Sequence, residues 1–158
     1  MKNVFLIATI IFLISIVFSC SDSKDYTGNK VLEWHDSLET NPKKVFFYYS
    51  KNDLNNGLIK QYRKDSSLKY EMPIKDGVEH GLVKVYFSND SLNYKANYKN
   101  GLMDGPIESY NSKGTLKFIG NYMEGKKNGE WNYYSKDGLV TKTEVYRNDT
   151  LISNNEEN

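Results

Sequence analysis

The sequence predicts an all-β fold, in which tandem 24-residue β-hairpin repeats form one elongated antiparallel meander sheet. Glycines recur at intervals of twenty-four residues, and each interval contains two runs in which apolar and polar residues alternate. Aromatic residues make up 14% of the chain, and thirteen of them are tyrosines. A fixed period indicates a repeat architecture, and alternation with aromatic enrichment is typical of β-strands.

Glycine and tyrosine positions define the repeat. Two series keep the 24-residue spacing throughout: Gly57, Gly81, Gly105 and Gly129, and Tyr62, Tyr86, Tyr110 and Tyr134. We therefore place four units, numbered one to four, at residues 53–76, 77–100, 101–124 and 125–148. An isolated hairpin is marginally stable in water, so the units are expected to fold only when they lie side by side in one sheet.

The second run of each unit alternates most clearly. In unit two, Tyr94 and Ala96 fall on one face of the predicted strand, and Lys95 falls on the other. Because successive side chains point to opposite faces of a strand, we expect the first face to pack and the second to meet water. Phe118 and Tyr122 of unit three are expected on the packed face for the same reason.

Both ends of the array depart from the repeat. The predicted segments outside the four units are a signal peptide at 1–19, a flexible tether at 20–30, a degenerate N-terminal capping repeat at 31–52 and a polar C-terminal tail at 149–158. Within the capping repeat, strand-like runs lie at 34–38 and 45–49. In unit four, Lys142 and Glu144 replace an aromatic and a small or apolar residue, and we expect these charges to protect an exposed sheet edge from pairing.

The N-terminus has the composition of a secretory signal. A positive charge at Lys2 precedes an apolar run from Val4 to Phe18, and a polar stretch follows Cys20. The run has fifteen residues, whereas a helix that spans a bilayer needs about 20, so we predict a cleaved signal and not a permanent span. Residues 17–20, Val-Phe-Ser-Cys, resemble the bacterial lipobox, which implies that Cys20 is acylated and begins the mature protein. The alternative is an ordinary signal peptide whose cysteine is incidental.

Composition excludes several functions. Cys20 is the one cysteine, so disulfides, thiolate catalysis and cysteine-ligated metals are excluded from the rest of the chain. Removal of Lys2 with the signal leaves twenty basic and twenty acidic side chains, a balance that lacks the basic footprint of nucleic-acid binding. The two histidines, His35 and His80, lie in different repeats, and neither has the partners of a catalytic triad or a zinc site. We therefore expect no enzyme activity, cofactor, metal or small-molecule substrate, and we interpret His80 as a polar turn residue.

The repeat motif resembles a known family. Residues 98–110, YKNGLMDGPIESY, and 125–134, GKKNGEWNYY, look like MORN repeats of the bacterial variant. That variant has a tyrosine, a Gly-x-x-x-Gly connection, a Trp or aliphatic residue, and a Tyr before an Asn-Gly or Asp-Gly turn. The resemblance covers 53–148 clearly and 29–52 weakly. It implies a hairpin-repeat fold, and it implies roles in protein or phospholipid binding, while many bacterial chains of this kind carry the label of antitoxin components.

Taken together, these features favour a non-enzymatic lipid-anchored protein that presents a β-sheet surface to another protein of the bacterial envelope. Two alternatives stay open: an immunity or antitoxin-like protein that neutralises an envelope-acting toxin, and a sheet that binds phospholipids or glycans. Asp22 and Asp25 resemble the acidic stretch that sends some lipoproteins to the cell surface, so an outer-membrane location is expected, on either leaflet. The candidate binding residues are aromatic: Trp131, Tyr133, Tyr134, Tyr110, Tyr86 and Tyr62.

Trp131 is the strongest of these candidates. It lies three residues before Tyr134, so a regular strand places the two on opposite faces and leaves at least one of them less buried. Trp131 occupies the repeat position of Val83 and Ile107, where side-chain size varies, and we therefore expect looser packing there. On this basis Trp131→Ala is expected to cost less stability than Phe118→Ala, and to weaken partner binding instead.

Overall fold

A computed structural model describes residues 28–34, 42–50 and 52–156 of the chain. All thirteen elements in these residues are strands: β1 (Gly28–Trp34), β2 (Pro42–Ser50), β3 (Asp53–Tyr62), β4 (Leu68–Lys75), β5 (Val78–Glu79), β6 (Gly81–Tyr86), β7 (Leu92–Lys99), β8 (Leu102–Tyr110), β9 (Leu116–Met123), β10 (Lys126–Lys127), β11 (Gly129–Tyr134), β12 (Val140–Arg147) and β13 (Thr150–Glu156). The predicted signal peptide and Cys20 lie outside the described residues.

The strands form one open antiparallel sheet in chain order. The main path runs β1-β2-β3-β4-β6-β7-β8-β9-β11-β12-β13, and the two short strands β5 and β10 pair with β4 and β9. Each unit contributes one hairpin, and consecutive units pair edge to edge. The predicted all-β hairpin meander is therefore confirmed.

The backbone of the turns repeats with the same 24-residue period. Units two and three join at Asn100 (φ 52°) and Gly101 (φ 82°), and the amide of Gly101 donates a hydrogen bond to the carbonyl of Glu79 at 2.9 Å. Two successive positive φ angles define the type I′ turn, whose twist matches that of the strands it joins. The residue pairs at 76–77, 124–125 and 148–149 also have two positive φ angles. Identical turns hold all four units in one register.

A central row of side chains crosses one face of the sheet, and we call it the spine. From β2 to β12 its members are Phe46, Ile59, Met72, Val83, Ala96, Ile107, Gly120, Trp131 and Glu144. Most of them are buried, with Ala96 1% and Trp131 2% exposed. Partly buried aromatic side chains pack against this row: Tyr94, Phe118 and Tyr133 on one side, and Tyr98, Tyr122 and Tyr146 on the other. In the described residues no second layer covers this packed face, so the aromatic rings themselves shield the spine from water.

The opposite face carries the charged and amide side chains that the alternation predicts, and between them lie apolar ones, among them the buried Val45 and the exposed Leu82. Lys60 pairs with Glu71 at 2.9 Å, and Lys95 pairs with Glu108 at 3.0 Å, each pair bridging adjacent strands. Cross-strand pairs of opposite charge stabilise a sheet modestly and fix its register. We call this surface the polar face.

The ends of the sheet differ from the predictions. The strand β1, Gly28–Trp34, begins inside the predicted tether, and it includes the first residue of the run predicted at 34–38, whose other residues lie outside the described part of the chain. The predicted C-terminal tail is wrong in part, because Thr150–Glu156 form β13 and pair with β12. The reason is the turn at Asn148 and Asp149, which both adopt positive φ and so continue the meander by one strand. The run at 45–49 is confirmed within β2.

Candidate functional site

The six aromatic candidates do not form one surface. Strand alternation places Trp131 and Tyr133 on the packed face, where both lie close to Phe118. The other four fall on the polar face: Tyr62, Tyr86, Tyr110 and Tyr134. The opposite placement of Trp131 and Tyr134 is as expected, but the packed side is the one that holds the tryptophan.

Trp131 is a core residue, and the prediction that it lies on the less packed side is wrong. Its ring centroid lies 5.5 Å from that of Phe118 and 5.3 Å from that of Tyr122, and the side chain is 2% exposed. The facing spine residue is Gly120, where an added Cβ would lie 2.3 Å from Trp131 Cδ2. Trp131 therefore fits because the neighbouring strand compensates for its size, and not because the packing is loose.

A carboxylate ends the spine beside Trp131. Glu144 is 7% exposed, and it accepts hydrogen bonds from the Tyr133 hydroxyl at 2.7 Å and the Tyr146 hydroxyl at 2.9 Å. Lys142 Nζ lies 2.7 Å from its other oxygen. Hydrogen bonds from Lys142 and Tyr133 lower the pKa of Glu144 to about 2. These contacts, together with the pairing of β12 to β13, correct the expectation that Lys142 and Glu144 guard a sheet edge.

The side chain of Lys127 packs over two rings of this cluster. The Nζ atom of Lys127 lies 4.1 Å from the centroid of the Trp131 ring and 4.5 Å from that of Tyr146. Both distances are within the range of a cation–π interaction. We refer to Lys127, Trp131, Glu144, Tyr133 and Tyr146 as the C-terminal cluster.

Two tyrosines of the polar face use their hydroxyls in hydrogen bonds within the sheet. The Tyr86 hydroxyl donates to Glu71 at 2.9 Å, and the Tyr110 hydroxyl donates to Glu108. The bond to Glu108 and partial burial raise the pKa of Tyr110 to about 12. Burial, followed by the charge of Glu71, raises the pKa of Tyr86. The Tyr86 hydroxyl is therefore engaged in a cross-strand contact, and the Tyr110 hydroxyl in a contact within β8.

The packed face contains a groove that the sequence did not reveal. Its volume is about 410 Å³, and its lining comes from β2 to β7: Lys44, Tyr70, Met72, Glu79, Val83, Val85, Tyr94 and Tyr98. Val83 stands here at the repeat position of Trp131, so the volume of an indole ring is missing from the spine. A small residue at a repeat position that elsewhere holds a tryptophan is the one sequence signal for this space.

The two charged side chains that line the groove, Lys44 and Glu79, differ in their ion pairing. Lys44 Nζ lies 3.8 Å from a carboxylate oxygen of Glu33, so its charge is partly offset. Glu79 has no such partner, because among the described residues no lysine, arginine or histidine nitrogen lies within 4.0 Å of its carboxylate. Burial, the neighbouring Tyr94 and the charge of Glu79 together raise the pKa of Tyr98. The groove therefore combines aromatic walls with an unpaired carboxylate.

The described residues contain neither a metal-binding cluster nor a membrane-spanning helix. Among the described residues no group of three His, Cys, Asp or Glu side chains could hold a metal ion. His80 lies in a connection between strands, where its amide donates to the carbonyl of Pro73 at 3.0 Å. In this part of the chain no helix is long and apolar enough to cross a membrane.

The fold and the groove define a class: a single-sheet β-repeat protein with an aromatic recess on one face. No protein-family model matches the chain, and no curated protein matches it closely enough to indicate kinship. The geometry of the sheet and the motifs of the sequence are therefore the basis for a function.

Proposed function

We propose that the protein is a non-enzymatic, lipid-anchored member of the MORN-type repeat proteins, and that it binds another protein of the bacterial envelope. The binding surface is the packed face, and the groove is its centre. The observation that supports this proposal most directly is an aromatic recess of about 410 Å³ on a face with no second layer among the described residues. Tyrosine and methionine are favoured at the centres of protein interfaces, and recesses seat the anchoring side chains of partners.

The polar face is the poorer candidate for this role. Two of its tyrosine hydroxyls bind carboxylates, Tyr86 with Glu71 and Tyr110 with Glu108, and both carboxylates are also ion-paired with a lysine of a neighbouring strand. A partner would have to displace these contacts before it formed its own. The packed face requires only that water leave the groove.

Anchoring completes the proposal. An acyl chain on Cys20 would hold the sheet at the outer membrane. Replacing Cys20 with Ala is expected to release the protein from the membrane fraction. If the variant still sediments with membranes after a high-salt wash, the acyl anchor is not what holds it.

Partner binding is tested by photo-crosslinking in the native envelope, followed by identification of the attached protein. A crosslinker at position 70, on the rim of the groove, is expected to capture a specific protein, and Tyr94→Ala is expected to weaken that capture. A crosslinker at position 134, on the polar face, is the matched control. Equal capture from both faces would contradict the proposal, and recovery of a secreted toxin would make the protein an immunity protein.

A further inference from the structure

The sheet contains two copies of one arrangement, and they differ in what fills them. The C-terminal copy consists of Lys127, Trp131 and Tyr146. Moving back by two repeats, or forty-eight residues, gives Glu79, Val83 and Tyr98. All three of the latter line the groove. The repeat therefore offers an internal template for what the groove accommodates.

In the C-terminal copy the bound group is the chain's own ammonium. Lys127 Nζ lies over the rings of Trp131 and Tyr146, at 4.1 and 4.5 Å from their centroids. Aromatic faces carry negative potential, so they attract a cation, and more strongly where water is partly excluded. This rim of the packed face thus holds a lysine side chain when a lysine is present.

In the N-terminal copy the spine residue is smaller and the charge beside it has the opposite sign. Valine replaces tryptophan, which leaves space, and Glu79 replaces lysine, which exchanges the cation for a carboxylate without a cationic partner among the described residues. Of the two rings that hold Lys127, the counterpart of Tyr146 is kept as Tyr98, while Tyr94, which stands at the repeat position of Lys142, supplies a second ring to the groove. Apolar side chains, Met72 and Val83 among them, lie beside them.

We propose that the groove binds a lysine side chain of the partner protein, with the ammonium group against Glu79 and the tyrosine rings and the methylene stem along Met72 and Val83. The inference rests on the proposed function in one respect, namely that the partner is a protein. Lys44 also lines the groove, from β2, and it shares Glu33 with Lys43, whose Nζ lies 2.8 Å from that carboxylate against 3.8 Å for Lys44. Glu79 stands at the repeat position of Lys127, beside Tyr98, and so it is the group placed to receive an ammonium there.

The test uses the full-length chain in detergent micelles and two matched probes. The first is N-acetyl-lysine N-methylamide, and the second is the norleucine analogue, which lacks the ammonium. The lysine probe is expected to shift the NMR signals of the Val83 methyls and the tyrosine rings saturably, with a dissociation constant on the order of 1–10 mM. The norleucine probe is expected to bind about tenfold more weakly or worse, as removal of an ion pair and a cation–π contact implies.

Substitutions of Glu79 test the assignment without altering the core, and a double variant then changes the core deliberately. Glu79→Gln is expected to weaken the lysine probe about tenfold, and Glu79→Lys is expected to abolish its binding, because the chain then supplies its own ammonium as Lys127 does. Glu130→Gln, an exposed substitution on the polar face, is the control and is expected to change nothing. A folded double variant, Val83→Trp with Ala96→Gly, reproduces the pairing of Trp131 with Gly120 and is expected to close the groove.

Three results would overturn the inference. One is equal binding of the norleucine probe, which would make the groove merely apolar. Another is unchanged binding in Glu79→Gln. The third is a shift of the groove signals in the Cys20→Ala chain by phosphatidylethanolamine vesicles and not by the lysine probe, which would make the ligand a lipid headgroup. Capture of a partner at position 70 without any lysine binding would leave the proposed function standing and end this inference. Lysine binding without a captured protein would keep the groove as an ammonium site and would end the proposed function, together with the assignment of that lysine to a partner protein.

Discussion

Units two and four have the same backbone and different interiors. Both are hairpins that end in a two-residue turn with positive φ, at 100–101 and at 148–149. Unit four fills its face with Trp131 and Glu144, whereas unit two has Val83 and Ala96 at the same positions. The result is a closed aromatic cluster in one unit and an open groove in the other. The hairpin scaffold therefore fixes the positions of the side chains, and the sizes of those side chains decide whether a groove forms.

The difference between the two units also shows that side-chain volumes are matched across neighbouring strands. Trp131 fits because the adjacent strand presents Gly120, where an added Cβ would lie 2.3 Å from the indole ring. Ile107 instead faces both Gly120 and Ala96. Volume is therefore balanced between neighbouring strands and not along a column of equivalent repeat positions.

The largest effect is expected from deletions that bring units two and four together. Removal of residues 101–124 joins Asn100 to Gly125, which have the φ angles of an unbroken turn, so the chain should fold. Removal of residues 101–112 deletes half a hairpin, reverses strand direction and should abolish folding. Circular dichroism and solubility distinguish the two outcomes, and equal behaviour of the two deletions would contradict the repeat register.

Deletion of residues 101–124 is also expected to create one specific steric clash. It places Ala96 opposite Trp131, where Gly120 lies in the native sheet, so a methyl group meets the indole ring. Adding Ala96→Gly to the deletion should restore about 1–3 kcal/mol of stability, as measured by urea melts. The same substitution in the full-length chain removes a buried methyl and is expected to destabilise it.

The sequence predicted the fold because the features that determine it are local and repeated. Turn residues, alternation and spacing were sufficient to define the four units and the packed face of Phe118 and Tyr122. Burial of Trp131 depends on Gly120 in the neighbouring strand. Comparison of equivalent repeat positions does not show that these two residues face each other. The groove depends on the same cross-strand volumes, which is why it was missed. The strand β13 was missed because its residues are polar and exposed, and only the turn before it indicated that the sheet continues.

Truncation of the indole ring comes next in expected size. Trp131→Ala should lower the free energy of unfolding by about 3–5 kcal/mol, because it empties the most crowded part of the spine. Val83→Ala, the matched change in unit two, should cost about 2 kcal/mol, because fewer buried atoms are lost and the site already borders the groove. Urea melts of both variants give the comparison. A smaller loss for Trp131→Ala than for Val83→Ala would restore the interpretation of Trp131 as a surface residue.

Acid sensitivity should belong to unit four. Hydrogen bonds from Lys142 and Tyr133 lower the pKa of Glu144 to about 2, whereas the equivalent residue of unit two is Ala96. A carboxyl whose pKa is lower in the folded state stabilises the fold above its unfolded pKa, and this contribution disappears as pH falls from about 4.5 to about 2. Glu144→Gln should therefore flatten the fall in stability over that range, relative to the unmodified chain. An unchanged slope in urea melts at stepped pH would show that other carboxylates cause the acid response.

The smallest expected effect concerns the cation that closes unit four. Lys127→Met keeps an unbranched side chain over Trp131 and Tyr146 but removes the ammonium, so the free energy of unfolding should fall by about 0.5–1 kcal/mol. Lys126→Met is the matched control, because Lys126 precedes it in β10 and its side chain is exposed. Urea melts in low salt should separate the two variants, and the difference should persist in high salt, since a cation held against rings is screened less than an exposed one. If the two variants are equally stable, the rings do not hold Lys127 in solution, and the template for lysine binding in the groove of unit two loses its basis.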